Sequence, residues 1–294
     1  MAELTSAKLL SRYTRGKRDF KLADLAGIDL TGANLMGADF TGANLAGAKL
    51  SGADLCDCIF NTAVLTGANL RDADLRRASL NAAELSHANL AEANLDSASL
   101  VIADCYETNL IGAHLCKAVL NEANLTKSIL RHADLLWAEL VDAILIETDL
   151  AFARLGHADL TFADLNMAHL LECDLHAANL SQADLVMADF TKAHLRWANL
   201  TEANLRYANF SHADLSRANL SNANLTSAIF SATDLTRATL ANANLTQATI
   251  ISSDFSGATL SGARLAFVDT ATMLHADFAR VLTEPAKIDT SISL

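Results

Sequence analysis

The chain has 294 residues and a net charge of −12, and 51% of its residues are apolar but only 5% aromatic, so small aliphatic side chains must build its core. The acidic balance argues against direct binding of nucleic acid, and polar residues interrupt every window long enough to span a membrane. The N-terminal MAELTSAKLLSRYTRGKRDF lacks the apolar stretch of a secretion signal, so we expect a cytoplasmic protein.

The first predicted element is a helix within residues 5–15, TSAKLLSRYTR. Thr5 and Ser6 favour a helix start, and Leu9, Leu10 and Tyr13 supply apolar side chains. We predict that residues 1–18 form an N-terminal capping helix, which would cover the unpaired strand edges of the structure that follows.

A five-residue repeat occupies most of the chain. Of the fifty positions divisible by five from Phe20 to Leu265, 49 hold Leu, Phe or Ile, and only Cys105 departs. Ala occupies 41 of the 49 positions that lie two residues earlier, and Asp or Asn most often stands between the two. A helix would scatter such leucines around its surface, and a strand would alternate them between its faces. The pattern therefore predicts a chain that turns after every fifth residue, with Leu and Ala inside.

The spacing of the phenylalanines predicts how many turns complete a coil. They recur at intervals of twenty residues, at Phe20, Phe40 and Phe60 and again at Phe190, Phe210 and Phe230. Like residues stack in this way if each coil has four sides, so residues 19–268 are predicted to form an all-β, parallel β-helix with a square cross-section. It would have about twelve coils and a length of about 60 Å at ~4.8 Å per coil.

Glycine predicts the type of turn. Ten of the twelve glycines lie two residues after a Leu position, which is the third residue of a four-residue turn. Type II turns need a positive φ there, and Gly tolerates it. Most of these glycines fall in the first coils, so we predict type II turns there. The middle coils carry Arg, Glu, His or Trp at this position and are predicted to turn differently.

The unit A-(D/N)-L-x-x, sustained over about residues 19–268, resembles the pentapeptide-repeat family. This resemblance implies a right-handed quadrilateral β-helix. The N-terminal stretch LLSRYTRGKRDF also resembles the cap of cyanobacterial members.

The repeat pattern stops near the C-terminus, at Val268 and Thr270. In TATMLHADFARVLTE, one helical face would carry Leu274, Phe278, Val281 and Leu282. We therefore predict a C-terminal capping helix and tail over residues 269–294. A resemblance to family members that dimerise through their C-terminal helix implies a homodimer joined there; otherwise the protein would be a monomer.

No group of residues in the sequence has the spacing of a catalytic, metal or cofactor site. His114 and His194 share an outward column but would lie four coils apart, about 19 Å, too far to share a metal. The five cysteines are odd in number and irregular in spacing, which predicts reduced, structural thiols. A filled rod also has no pocket of its own, so we predict a non-enzymatic protein without a cofactor.

One outward column is rich in Asp, with Asp54, Asp74, Asp134, Asp174, Asp214, Asp234 and Asp254. Some pentapeptide-repeat proteins resemble B-DNA and bind DNA gyrase in its place, so the resemblance implies an alternative function as an inhibitor or protector of this type II topoisomerase. Duplex DNA of this length would carry about 35 charges, whereas residues 22–294 carry −16, the total of −12 minus the +4 of residues 1–21. Arginines at the next corner favour local ion pairs instead.

Apolar side chains interrupt the water-facing positions between residues 137 and 207. They are Trp137, Ile146, Phe152, Phe162, Met167, Val186, Met187, Trp197 and Tyr207. An exposed apolar patch commonly marks a partner site, and Trp, Tyr and Met are enriched in interface cores. The leading hypothesis is therefore a scaffold that binds a protein partner, with a regulatory role. The alternative, that these turn residues pack against neighbouring coils, has equal weight on the sequence alone.

Overall fold

The computed structural model describes residues 4–269 and the backbone of residues 273–274. One helix, α1, spans Ser6–Thr14. The named strands lie near the other end and are β1 (Ile229–Ser231), β2 (Thr249–Ile251), β3 (Ser253–Asp254) and β4 (Met273–Leu274). β1 pairs with β2 and β3 pairs with β4, both in parallel.

The repeats between α1 and β1 pair through single-residue parallel bridges. Each bridge joins a residue to the one twenty positions later, beginning with Asp19 and Asp39. The strands keep the same register, because Phe230 of β1 lies opposite Ile250 of β2. A turn separates successive bridges every five residues, so four bridged sides complete one coil. The chain is thus a parallel β-helix that repeats every twenty residues, as its phenylalanine spacing predicts.

Every fifth residue faces the interior of the coil. From Phe20 to Leu265 these side chains are at most 5% exposed, and the alanines two positions earlier are buried from Ala38 onward. The aromatic rings form two stacks with centroids 4.9 to 5.4 Å apart, Phe20–Phe40–Phe60 and Phe190–Phe210–Phe230. Large Leu and small Ala thus alternate along the inside, an arrangement that suits the close packing of protein interiors.

Four of the five backbone N–H groups of a repeat find carbonyl partners in the backbone. Three of these bonds join neighbouring coils, and one closes the turn within the coil. In one repeat, the N–H groups of Leu200 and Glu202 donate to the carbonyls of Asn219 and Ser221 on the next coil, and the N–H of Asn204 donates to Ala183 on the preceding coil. The N–H of Ala203 closes the turn by donating to the carbonyl of Leu200. Each coil is therefore held to both of its neighbours along its whole length.

The fifth N–H group explains the Asp or Asn that precedes each Leu. The side chain of Asn199, for example, accepts the N–H of Thr201 at 3.2 Å. Where Ser79 replaces Asp or Asn, Asn61 of the preceding coil accepts the N–H of Asn81 instead, at 3.0 Å. Short polar side chains that bond to a nearby backbone N–H stabilise turns in this way. The outward Asp or Asn is thus a structural part of the repeat as well as a solvated group.

The prediction that the middle coils turn differently from the first coils is wrong. The third residue of every turn from Leu22 to Phe267 has a φ between 51° and 75°, whether it is one of ten glycines or one of forty other residues. Glu107 and Trp197, for example, have φ values of 51° and 64°. The N–H of this residue bonds to the next coil, so the ladder imposes the left-handed conformation, at a strain of about 1 kcal/mol per residue.

The N-terminal helix lies against the first coils. Leu9 of α1 is fully buried in the same core as the repeat leucines. The hydroxyl of Tyr13 donates to the backbone oxygen of Met36 at 2.9 Å, and the guanidinium of Arg18 lies 3.8 Å from the centre of the Tyr13 ring. The helix is thus joined to the first coils by a buried apolar residue and a hydrogen bond.

At the other end the ladder continues beyond the last predicted repeat. Met273 pairs with Ser253 and Leu274 pairs with Asp254, again twenty residues apart. Leu274 therefore lies on β4 and not on the predicted helix, because its backbone completes the edge of the last described coil. Phe278, Val281 and Leu282 lie outside the described residues. The domain limits 1–18, 19–268 and 269–294 stay predictions.

We predict that Leu160→Asp strongly destabilises the coil around it. Leu160 is fully buried; the change removes roughly 2 kcal/mol of burial and places a carboxylate without a partner in the core, which costs several kcal/mol more. Urea unfolding followed by circular dichroism measures the effect. The control Leu160→Met keeps the volume and should cost less than about 1.5 kcal/mol. Equal stability of the Asp variant and the wild type would contradict the inward placement.

Candidate functional site

The nine predicted apolar residues occupy all four corners of the coil. Ile146, Met167, Val186, Met187 and Tyr207 share one corner. The twenty-residue register places Trp137 and Trp197 on the diagonally opposite corner, and Phe152 and Phe162 on the remaining two. They therefore do not form one patch, although they are close in sequence, since residues within one coil point in four directions.

Five of the nine residues belong to one surface, which we call the apolar groove. It is a shallow depression lined by Ile146, Met167, Val186 and Met187, with Asn166, Asp184, Asn204 and Arg206. Met167 and Met187 are 41% and 57% exposed, and Tyr207 continues their column on the next coil at 48% exposed. Large apolar side chains thus face solvent on three successive coils.

The polar residues of the apolar groove depart from the regular repeat. Asn166 accepts the N–H of Val186 at 2.9 Å, a bond that Asp184 would make in a regular repeat. Asp184 accepts instead from the side-chain amide of Asn204, at 2.9 Å. The side-chain oxygen of Asn204, Oδ1, is buried and has no hydrogen-bond partner. Among the described residues, it is the one buried side-chain nitrogen or oxygen atom without such a partner. Sequence reasoning missed this feature; its signal is an Asn at the second residue of a turn.

The aromatic residues on the other corners contact neighbouring coils. Trp137 stacks on His157 with centroids 4.1 Å apart, and Phe152 stacks on His132 at 5.0 Å. The guanidinium of Arg217 lies 4.6 Å from the ring centre of Trp197. These rings therefore have partners within the protein, although Trp137 and Trp197 stay more than half exposed. The apolar groove is the stronger candidate for a partner site because its apolar side chains follow one another on three successive coils.

All seven aspartates of the acidic column serve the backbone. Each accepts the N–H of the residue two positions later, at 2.8 to 3.2 Å, and the seven are Asp54, Asp74, Asp134, Asp174, Asp214, Asp234 and Asp254. One oxygen of every carboxylate is therefore engaged in holding a turn. The column needs no external partner to explain its composition.

Nearby cations also offset the charge of the acidic column. Arg76 pairs with Asp74 at 2.5 Å and Arg154 pairs with Asp134 at 2.7 Å. The hydrogen bond from the Arg76 side chain lowers the pKa of Asp74 below its usual value. The face is thus a mixture of charges and hydrogen-bonded carboxylates, unlike the uninterrupted row of phosphates along DNA.

The cysteine, histidine and carboxylate side chains of the described residues are dispersed along the coils. All five cysteines are free thiols, and burial raises the pKa of Cys58 and Cys105 to about 12, which disfavours the reactive thiolate. The described residues contain no group of three or more His, Cys, Asp or Glu side chains placed to hold a metal ion. Within the same residues, no helix has the length and apolar character needed to cross a bilayer.

Comparison with protein families identifies the repeat. The model described as pentapeptide repeats matches eight copies, in residues 23–61, 58–100, 103–138, 153–191, 193–231 and 228–265. The matches cover well over half of the chain, so the chain belongs to the pentapeptide-repeat family. Its fold is the right-handed β-helix solenoid of that family.

Solved structures of other family members are similar to this chain. HetL, from the cyanobacterium Nostoc sp. strain PCC 7120 and involved in the regulation of heterocyst differentiation, is 33% identical over 89% of this chain and 97% of its own, with a TM-score of 0.45. QnrB1, a plasmid-mediated fluoroquinolone resistance protein, is 22% identical over 62% of this chain and 88% of its own, with a TM-score of 0.38. Rfr23 from the cyanobacterium Cyanothece 51142 is 32% identical over 36% of this chain and 58% of its own, with a TM-score of 0.25. No curated protein matches the chain.

We predict that the charge of Asp234 is dispensable for the fold while its acceptor oxygen is not. Asp234→Asn keeps the bond to the N–H of Thr236, which measures 2.8 Å, and should change the free energy of unfolding by less than about 0.5 kcal/mol. Asp234→Ala leaves that N–H without a partner and should cost about 1 kcal/mol or more. Urea unfolding of both variants checks this; equal effects would mean that the side-chain bond contributes nothing.

Proposed function

We propose that the protein is a non-enzymatic scaffold that binds a partner protein through the apolar groove. The observation that carries the proposal is the run of Met167, Met187 and Tyr207 on one corner of three successive coils, each 41% exposed or more. At ~4.8 Å per coil the run is about 10 Å long, which suits a few apolar side chains of a partner. Met adapts its shape to an incoming surface, and Tyr is enriched in interface cores.

The β-helix suits this role because its surface is ordered before the partner arrives. Leu165, Leu185 and Leu205, the residues that precede the three exposed turns, are fully buried. The third residue of each turn is held by a backbone bond to the next coil, as between Met187 and Arg206 at 2.9 Å. A preordered surface loses less conformational entropy on binding, so even a small groove supports measurable affinity.

The proposal extends to features beyond the groove. The solenoid has about twelve coils, and we infer that the protein is of cyanobacterial type and acts in the cytoplasm in a regulatory role. It is a monomer, or a homodimer joined through the predicted C-terminal helix of residues 269–294, most of which lies outside the described residues. No cofactor enters this role, because the scaffold works by binding alone.

The alternative function, inhibition or protection of DNA gyrase through the acidic column, is favoured by one observation. Asp214, Asp234 and Asp254 follow one another on successive coils of the same face. The backbone bonds that these three aspartates accept weigh against it, since they explain the same residues locally.

A supercoiling assay tests this alternative directly. Because the carboxylates are engaged and partly neutralised, we expect purified protein to leave gyrase activity unchanged in the absence and in the presence of a fluoroquinolone. A dose-dependent change in supercoiling that is lost in a variant with Asn at Asp214, Asp234 and Asp254 would support gyrase recognition. It would also argue against the scaffold as the main function.

The scaffold proposal predicts that the apolar groove, and not apolar surface in general, retains the partner. The test variant carries Met167→Ala, Met187→Ala and Tyr207→Ala, and we expect it to lose at least one protein that the wild type retains from a native lysate. The loss follows from removal of the side chains that would be buried in the interface. Quantitative mass spectrometry of the bound fractions measures it.

A matched control removes aromatic side chains from the other corners. It carries Trp137→Ala, Phe162→Ala and Trp197→Ala, all more than half exposed, and should retain the same bound proteins as the wild type. Urea unfolding of both variants verifies that the coils persist. If the control loses the partner and the groove variant keeps it, the interface lies elsewhere.

A further inference from the structure

A second groove lies on the corner diagonally opposite the apolar groove. We call it the arginine groove, and its lining includes Arg196, Arg217, Arg237, Ser216, Thr236 and Ser256. These residues come from the turns of four successive coils. At ~4.8 Å per coil the three guanidinium groups arise within about 10 Å of one another. The groove is therefore a local concentration of positive charge on an acidic protein.

The three arginines lack the carboxylate partners that the arginines of the earlier coils have. All five arginines between residues 71 and 154 form ion pairs, including Arg77 with Asp57 at 2.6 Å. Within the described residues, Arg196, Arg217 and Arg237 form none. Their guanidinium donors are thus free to bind an anion.

Two hydroxyl groups in the arginine groove are also free. In many repeats a Ser or Thr at the second residue of the turn donates its hydroxyl to the preceding Asp or Asn, as Thr201 does to Asn199 at 2.6 Å. The backbone N–H groups of Ser216 and Thr236 make the corresponding bonds, but in the described part of the chain their hydroxyls make none. They add two donors beside the guanidinium groups.

A neighbouring side chain holds one of the arginines in place. Arg217 is partly buried, and its guanidinium lies 4.6 Å from the ring centre of Trp197. Stacking on an aromatic ring leaves the N–H donors of the guanidinium available at its edge. Less side-chain entropy is therefore lost when an anion binds.

We propose that the arginine groove binds a phosphoryl group. Asp214 and Asp234 also line it, so three positive and two negative groups give the groove a net charge of +1. The affinity for a ligand must therefore come more from hydrogen bonds to the guanidinium and hydroxyl donors than from net charge. A phosphoryl group offers three strong acceptor oxygens to the guanidinium and hydroxyl donors, whereas a carboxylate offers two. Free phosphate and a phosphorylated side chain of a partner share this chemistry. The site is independent of the apolar groove.

Calorimetric titration of the full chain at low ionic strength tests the proposal. The probes are inorganic phosphate, a short phosphoserine peptide and the same peptide with unmodified serine. We expect saturable binding of at least one phosphorylated probe and none of the unmodified peptide. The triple variant Arg196→Gln, Arg217→Gln, Arg237→Gln should bind at least about tenfold more weakly, because it loses every charged donor.

The matched control is Lys117→Gln. Lys117 lies on the same corner, outside the groove, and forms no ion pair within the described residues. Its loss should change affinity less than about twofold, as expected for a distant surface charge. If the triple variant fails to fold by circular dichroism, Arg237→Gln alone replaces it, with an expected severalfold loss.

The outcomes separate the two ligand sources. Tighter binding of the phosphopeptide than of inorganic phosphate identifies a phosphorylated partner, and the reverse order identifies free phosphate; both support the site. Saturable binding of neither probe, or equal losses in the arginine variant and in Lys117→Gln, would overturn it.

Discussion

The hydrogen-bond requirement of the backbone governs this molecule. Each five-residue repeat carries five N–H groups, and a coil closed on four sides offers carbonyl partners to four of them. The remaining N–H, such as that of Thr201, is satisfied by the Asp or Asn before the central Leu, here Asn199. A buried or half-buried N–H without a partner is costly, so the same requirement that stacks the coils also fills the outer faces with Asp and Asn. The acidic surface is in this sense a product of the fold.

The turns show how strongly the ladder dominates local preference. Trp197 and Glu107 both adopt the left-handed conformation that glycine favours. They do so because the backbone N–H of each bonds to a carbonyl of the next coil, which fixes the conformation of the turn. The strain is spread over forty residues, and burial of a Leu at every fifth position, worth roughly 2 kcal/mol each, exceeds it. The turn positions accept many different side chains, and both proposed sites lie there.

In both grooves, side chains at the turns make different hydrogen bonds from those of the regular repeat. In the apolar groove Asn166 takes over the bond that Asp184 would make, and the oxygen of Asn204 is left without a partner. In the arginine groove the hydroxyls of Ser216 and Thr236 do not make the bond usual for their position. The two grooves lie on diagonally opposite corners, so a protein partner and a phosphoryl group would not compete for space. Together they suit a scaffold with two distinct surfaces.

The sequence alone determined the coil, because a hydrophobic period of five and phenylalanines twenty residues apart admit only a four-sided solution. It also located Met167, Met187 and Tyr207 on one corner. Three things needed the tertiary structure: the role of Asn199 and its equivalents as backbone acceptors, the left-handed turn at Trp197, and the ladder contact of Leu274. The turn at Trp197 and the contact of Leu274 are fixed by the neighbouring coil, twenty residues away in sequence, and the bond of Asn199 to Thr201 serves the one N–H that the neighbouring coils leave without a carbonyl partner. The spacing of residues in the sequence predicts which residues lie on the same face of the coil. The hydrogen bonds of their side chains and backbone groups depend on the packing of the coils.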